Sequence, residues 1–208
     1  MKPWLTGNDE PMDTITSTRS LCVFCGSREG SDPAYREAAI RLGVLMARRG
    51  VRLVYGGGSI GLMGVVADAV LAEGGEAVGV IPDFLMRSEH GHRRLTEQII
   101  TGSMHDRKRR MFELADAFCV MPGGLGTLDE TFEIITWKQI HLHELPIIVL
   151  DIAGYWQPLQ ALLAKVISAG FADASILDLV SVVNSPDDVL DAIATAPSIK
   201  DGVVTSHL

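Results

Sequence analysis

Short β-branched runs recur along the chain, and three of them break off at glycines that open a helical segment: LCVFCGS at 21–27, VRLVYGGG at 51–58 and AFCVMPGG at 117–124. These runs are apolar throughout instead of alternating, the pattern of strands buried on both faces. EAVGVIP (76–82), LPIIVLDI (145–152) and LVSVVNS (179–185) read the same way, with one further short strand near Gln98–Thr101. Helical segments lie between them. Asp32-Pro33 supplies an N-cap and a first-turn proline for a helix to about Arg49, closed by Gly50. Further helices are expected over 59–74, 104–117, 125–142, 154–170 (closed by Gly170) and from Pro186 onward. Right-handed crossovers place such helices on both faces of a parallel sheet. The expectation is an α/β fold: a Rossmann-like, doubly wound parallel sheet in a single domain over 21–196, with a mobile N-terminal tail (1–20) and a C-terminal tail (197–208).

Composition narrows the classes of function. The 208 residues are 47% hydrophobic and 21% charged, as in globular proteins. Lys plus Arg number 18 against 26 acidic residues, a net charge of −8, so no broad positive field awaits a nucleic-acid backbone. No apolar run reaches the length that spans a bilayer, so no membrane partner is expected. Three cysteines, an odd number set mostly in apolar runs, argue against a disulfide framework and for a reducing compartment, the cytoplasm. Cys22 and Cys25 have CxxC spacing without a second pair, so a metal is not expected.

In a doubly wound sheet, ligands bind outside the carboxyl ends of the strands. Three glycine-rich turns fall there: Gly26-Ser27; Gly56, Gly57, Gly58 and Ser59 with Gly61 and Gly64; and Gly123, Gly124, Leu125, Gly126 and Thr127. Backbone without Cβ atoms approaches an anion closely, and helix N-terminal N–H groups favour negative charge, so the turns are candidate phosphate cradles. Alternatively, such glycines serve only tight turns and close packing. A dinucleotide fingerprint and a Walker loop are both absent, so a mononucleotide or sugar phosphate fits better than NAD. PGGLGTLDE (122–130) is the sharper signal. Thr127 offers a hydroxyl at the start of a helix, Leu128 and Asp129 follow, and Glu130 stands one turn on. Arg107 and Lys108 open the preceding helix, and Glu89 with His92 lies in the irregular segment before that. Acid, base and cations on one rim suit hydrolysis of a phosphorylated substrate.

MHDRK (104–108), ADAFCVMPGGLGTLDE (115–130) and TW at 136–137, with VFCGS (23–27) and VYGGGSIGLMG (54–64), resemble the LOG ("Lonely Guy") family of cytokinin riboside 5′-monophosphate phosphoribohydrolases, long mislabelled lysine decarboxylases. The resemblance runs from about Leu21 to Phe171 and implies hydrolysis of the N-glycosidic bond of an adenosine 5′-monophosphate, usually N6-substituted, without a cofactor. It places the catalytic pair on Arg107 and Glu130. Lys108, Gly123, Gly124, Gly126, Thr127 and Thr136 fall in the substrate shell, and Glu89 joins them through the ExxH spacing alone. Two alternatives stand beside this: a less selective nucleoside 5′-monophosphate nucleosidase, and a binding or carrier protein of the same fold. A pyridoxal-phosphate decarboxylase lacks an evident Schiff-base lysine.

His105, His141 and His143 read as surface or hydrogen-bonding residues, and Arg109-Arg110 as a solvated helix face. The segment 130–142 carries Phe132, Ile135, Trp137 and Ile140 around more than one face, more apolar surface than one sheet covers. A homodimer or larger homo-oligomer is expected, with the MHDRK helix of one subunit near the base pocket of the other.

Overall fold

Seven parallel strands form one sheet in the computed structural model, which describes residues 18–86 and 91–196. Residues 1–17 and 197–208 of the two expected tails lie outside the described residues, whereas 18–20 lead into the sheet: the Arg19 carbonyl accepts from the Arg52 N–H at 2.9 Å, and the first strand starts at Ser20. The strands are β1 (Ser20–Phe24), β2 (Arg52–Tyr55), β3 (Ala77–Pro82), β4 (Glu97–Thr101), β5 (Ala117–Val120), β6 (Ile147–Leu150) and β7 (Ser181–Val183). Their spatial order is β4-β3-β2-β1-β5-β6-β7. The chain therefore winds outward from β1 in one direction as far as β4, then returns to β5 on the other side of β1. This reversal makes the β1/β5 pair the switch point of the sheet.

Among the described residues, five α-helices connect strands, α1 (Pro33–Arg48), α2 (Gly61–Ala72), α3 (Met104–Glu113), α4 (Leu125–Gln139) and α5 (Gln157–Ser168), and a sixth, α6 (Val189–Thr195), follows β7. Alternate strand residues feed opposite layers. Leu21, Val23, Leu53, Tyr55, Ala117 and Cys119 pack under α1, α2 and α6. Cys22, Phe24, Val54, Phe118 and Val120 pack under α3, α4 and α5. Both faces of the five inner strands are thus covered, which is why β1, β2, β3, β5 and β6 carry no polar alternation.

Local punctuation agrees with the residues that impose it. The Asp32 side chain accepts from the Ala34 N–H at 2.9 Å and caps α1. Gly50 and Gly170 take φ of +67° and +79° at helix ends, values that favour glycine. Strands and helices are shorter than the apolar runs suggest. VRLVYGGG continues past the last ladder residue into a buried turn, and α4 gives out near Ile140, where His141 has φ of +59°. His143 is buried and hydrogen-bonds the Ile134 carbonyl at 2.9 Å, while Arg109 and Arg110 are exposed and pair with acids on their own helix. The three cysteines are buried free thiols, Cys22 in one layer and Cys25 in the other.

Candidate active site

The glycine turns meet backbone to backbone at the switch point. The Gly26 N–H donates to the Pro122 carbonyl at 3.0 Å, and a Cβ on Gly26 would stand 3.3 Å from the Gly123 Cα. Gly61, at φ of +62°, comes so near the Ser27–Arg28 peptide that a Cβ would lie 2.2 Å from the Ser27 carbonyl carbon. Here glycine is demanded by close approach. Beside the junction opens a cleft of about 220 Å³, and its walls include Cys25, Ser27, Gly56, Met63, Arg107, Gly124, Gly126, Thr127 and Glu130.

Arg107 projects from the first turn of α3 and is only 5% exposed. Its Nε donates to the Val80 carbonyl at 3.1 Å and its Nη2 to the Gly56 carbonyl at 2.9 Å. These carbonyls belong to β3 and to the residue just beyond β2, so the guanidinium is anchored to the carboxyl edge of the sheet. The fork geometry permits both bonds at once.

On the opposite wall, α4 begins at Gly124 with no side chain capping it. The first four N–H groups of a helix have no partner within it, and its dipole places positive potential there. A Cβ on Gly124 or Gly126 would meet nothing within 4 Å, so the approach to these N–H groups is open. Thr127 is buried beneath them. Half-buried Glu130 lies one turn along the same face, as i, i+3 spacing requires. Its carboxylate sits near the ends of the sheet residues: burial, and then the Glu130 charge, push the Cys22 and Cys25 thiols well up from their ordinary values.

The other expected site residues are dispersed. Lys108 leaves the cleft and pairs with Asp129 at 3.3 Å and Glu133 at 3.0 Å, tying α3 to α4. Asp129 borders the cleft, Leu128 is half-buried against the apolar layer, and Leu125 stands 84% exposed at the mouth. Thr136 is exposed two turns further along α4. Gly57 and Gly58 are buried in a turn that seats the following segment on β3. The Gly57 carbonyl accepts from the His92 N–H at 3.0 Å, Gly58 bridges Gly91, and the Tyr55 hydroxyl donates to the Gly58 carbonyl at 3.1 Å. Ser59 borders a different cavity, with Asp68 and His92. Glu89 lies outside the described residues. His92 accepts at Nδ1 from the Arg94 N–H, which leaves Nε2 to donate to Asp68 at 3.1 Å. Gly56, expected with its neighbours as part of a phosphate cradle, is the glycine of its cluster that borders the cleft, and it serves there to admit Arg107: a Cβ would stand 2.2 Å from Arg107 Nη2.

Comparison with known proteins places these features in context. A family model described as "possible lysine decarboxylase" matches residues 63–193. A protein of Oryza sativa subsp. japonica named probable cytokinin riboside 5′-monophosphate phosphoribohydrolase is 46% identical over 169 residues, 81% of this chain and 74% of that protein. A cytokinin riboside 5′-monophosphate phosphoribohydrolase of Arabidopsis thaliana is 44% identical over 159 residues, 76% of this chain and 73% of that one. Among solved structures, the molybdenum cofactor binding protein from the phototrophic bacterium Rippkaea orientalis superposes with a TM-score of 0.64 at 22% identity, covering 85% of this chain and 95% of the other, a likeness of fold. With its family match and these relatives, the chain belongs to the LOG family of cytokinin riboside 5′-monophosphate phosphoribohydrolases, the family whose model still bears the lysine decarboxylase description.

Proposed function

We propose that the protein is an N-glycosidase that hydrolyses adenosine 5′-monophosphates, usually N6-substituted, to the free base and ribose 5-phosphate. The observation that carries this reading is a single cleft holding the open N-terminus of α4, Glu130 one turn beyond it and the anchored Arg107. The substrate phosphate accepts from the N–H groups of Leu125, Gly126 and Thr127, with the Thr127 hydroxyl in reach. Ribose then lies along α4 toward Glu130. Breaking the bond between C1′ and the purine nitrogen builds positive charge on the sugar, which the Glu130 carboxylate stabilises. Water bonds to C1′ as the electron pair leaves with the base, and the water proton passes through Glu130 to that base. Arg107, fixed by two backbone carbonyls, presents charge to ribose or to the departing purine.

Lys108 supports the site indirectly by holding α3 against α4. No lysine lines the cleft among the described residues, so these residues do not fit a pyridoxal Schiff base. Three buried free thiols support action in a reducing compartment, the cytoplasm. Phe132 and Thr136 share one exposed stripe of α4, continued past its end by exposed Ile140 and Leu142, and this stripe supports a homodimer. Light scattering at micromolar concentration should give at least twice the 22.4 kDa of one chain, and a fully active 22.4 kDa species would refute the assembly. Incubation with AMP and chromatography for free adenine tests the activity itself.

A further inference from the structure

The turn after β6 carries unusual backbone and reaches the glycine loop from behind. Ala153 has φ of +53° and Gly154 of +72°. An alanine in the left-handed region is strained, and such strain persists only where the surroundings impose it. The surroundings here are buried Asp151, whose carboxylate accepts from the Trp156 N–H at 2.8 Å, and the Ile152 carbonyl, which accepts from the Tyr155 N–H at 3.1 Å. The result is a fixed Tyr155. Its ring packs edge-on against Tyr35 at 5.6 Å and against Trp156 at 4.9 Å, and its hydroxyl donates to the Gly123 carbonyl.

Tyr155 and Tyr35 line a cavity of about 570 Å³, whereas Arg107 and Glu130 line the smaller cleft; Gly124 borders both. In a trans peptide the C=O and the following N–H point in opposite directions. A Gly123 carbonyl drawn to the tyrosine side therefore turns the Gly124 N–H the other way, toward the cleft. The Gly123-Gly124 pair has little side-chain hindrance to a flip of this peptide, so its orientation depends on a tether. A flipped peptide would present a carbonyl oxygen to an anion.

We infer that Tyr155 is a positioning residue for phosphate recognition: through its bond to the Gly123 carbonyl it holds the Gly124 N–H toward the substrate phosphate and keeps the carbonyl dipole away. This rests on the phosphate reading of the α4 N-terminus given above.

Tyr155→Phe keeps the ring and its packing and removes only the hydroxyl. The expected result is a roughly 5-fold rise in KM for AMP and in the calorimetric Kd for ribose 5-phosphate, the factor that one net hydrogen bond supplies. kcat should stay within about twofold, and the slow turnover of adenosine, which has no phosphate, should be unchanged. Unaltered ribose 5-phosphate binding would overturn the inference. Equal losses on AMP and adenosine, with a lowered Tm, would overturn it too, because the hydroxyl would then serve the fold alone. Wild-type protein that binds ribose 5-phosphate but releases no base from AMP would refute the proposed activity, while the binding ratio of the two proteins still decides the role of Tyr155. Wild-type protein that binds no ribose 5-phosphate would overturn both.

Discussion

The Nη2 of Arg107 donates to the Gly56 carbonyl at 2.9 Å, in space that exists only because residue 56 has no side chain: a Cβ would intrude to 2.2 Å from that nitrogen. With the Val80 carbonyl held by Nε, this relationship makes the cation part of the sheet edge. A lysine has one nitrogen and cannot span both carbonyls while facing the cleft. Arg107→Lys is expected to lower kcat/KM on AMP by about 10–100-fold, the value of one charge-assisted hydrogen bond, with the circular dichroism spectrum retained. Steady-state kinetics on AMP check this, and activity within twofold of wild type would remove the fork from the mechanism.

Glu130→Gln preserves shape and removes the negative charge. Base release should fall by about 10²–10⁴, while AMP binding measured by calorimetry stays within a few-fold, because the phosphate is held at the other end of the cleft. Retention of more than about a tenth of wild-type turnover would take Glu130 out of the catalytic role.

The fold was legible because each local signal has a single physical cause. Apolar runs without alternation demand a sheet covered on both faces, and Asp32-Pro33, Gly50 and Gly170 act on backbone that their own side chains, or lack of them, control. The site was legible only where its chemistry is local, as in the glycine turn, Thr127 and Glu130 on one helix. Gly57 and Gly58 read like phosphate ligands because a glycine has the same sequence signature whether it admits a ligand or a neighbouring strand. Lys108 stands beside Arg107 in sequence, but the turn of about 100° between helix neighbours carries its ammonium to Asp129 and Glu133 and away from the cleft. Tyr155 is joined to Gly123 by tertiary structure over 32 positions, a separation no local pattern spans.

Lys138 supplies a pH-dependent contribution away from the cleft. Burial lowers its ammonium from the ordinary 10.5 to about 8, against the opposing pull of Glu144. Below about pH 8 the folded protein carries the full cost of the buried charge; between about 8 and 10.5 the unfolded chain binds more protons, so this cost shrinks as pH rises. Lys138→Met is expected to raise stability at pH 7 by about 1–3 kcal/mol, with the gain fading toward pH 10.5. Thermal melts of both proteins across pH 7–10.5 check this; a gain that does not change with pH would contradict it.

The phosphate assignment and the glycosidase assignment meet in one comparison. Wild-type protein incubated separately with AMP and with adenosine at equal concentration, and followed by chromatography of the base, measures both together. The account predicts adenine and ribose 5-phosphate in equal amounts from AMP and a rate at least about 100-fold lower from adenosine, since remote binding energy from the phosphate orients the reacting bond. Equal rates on the two substrates, or no adenine from AMP, would contradict it.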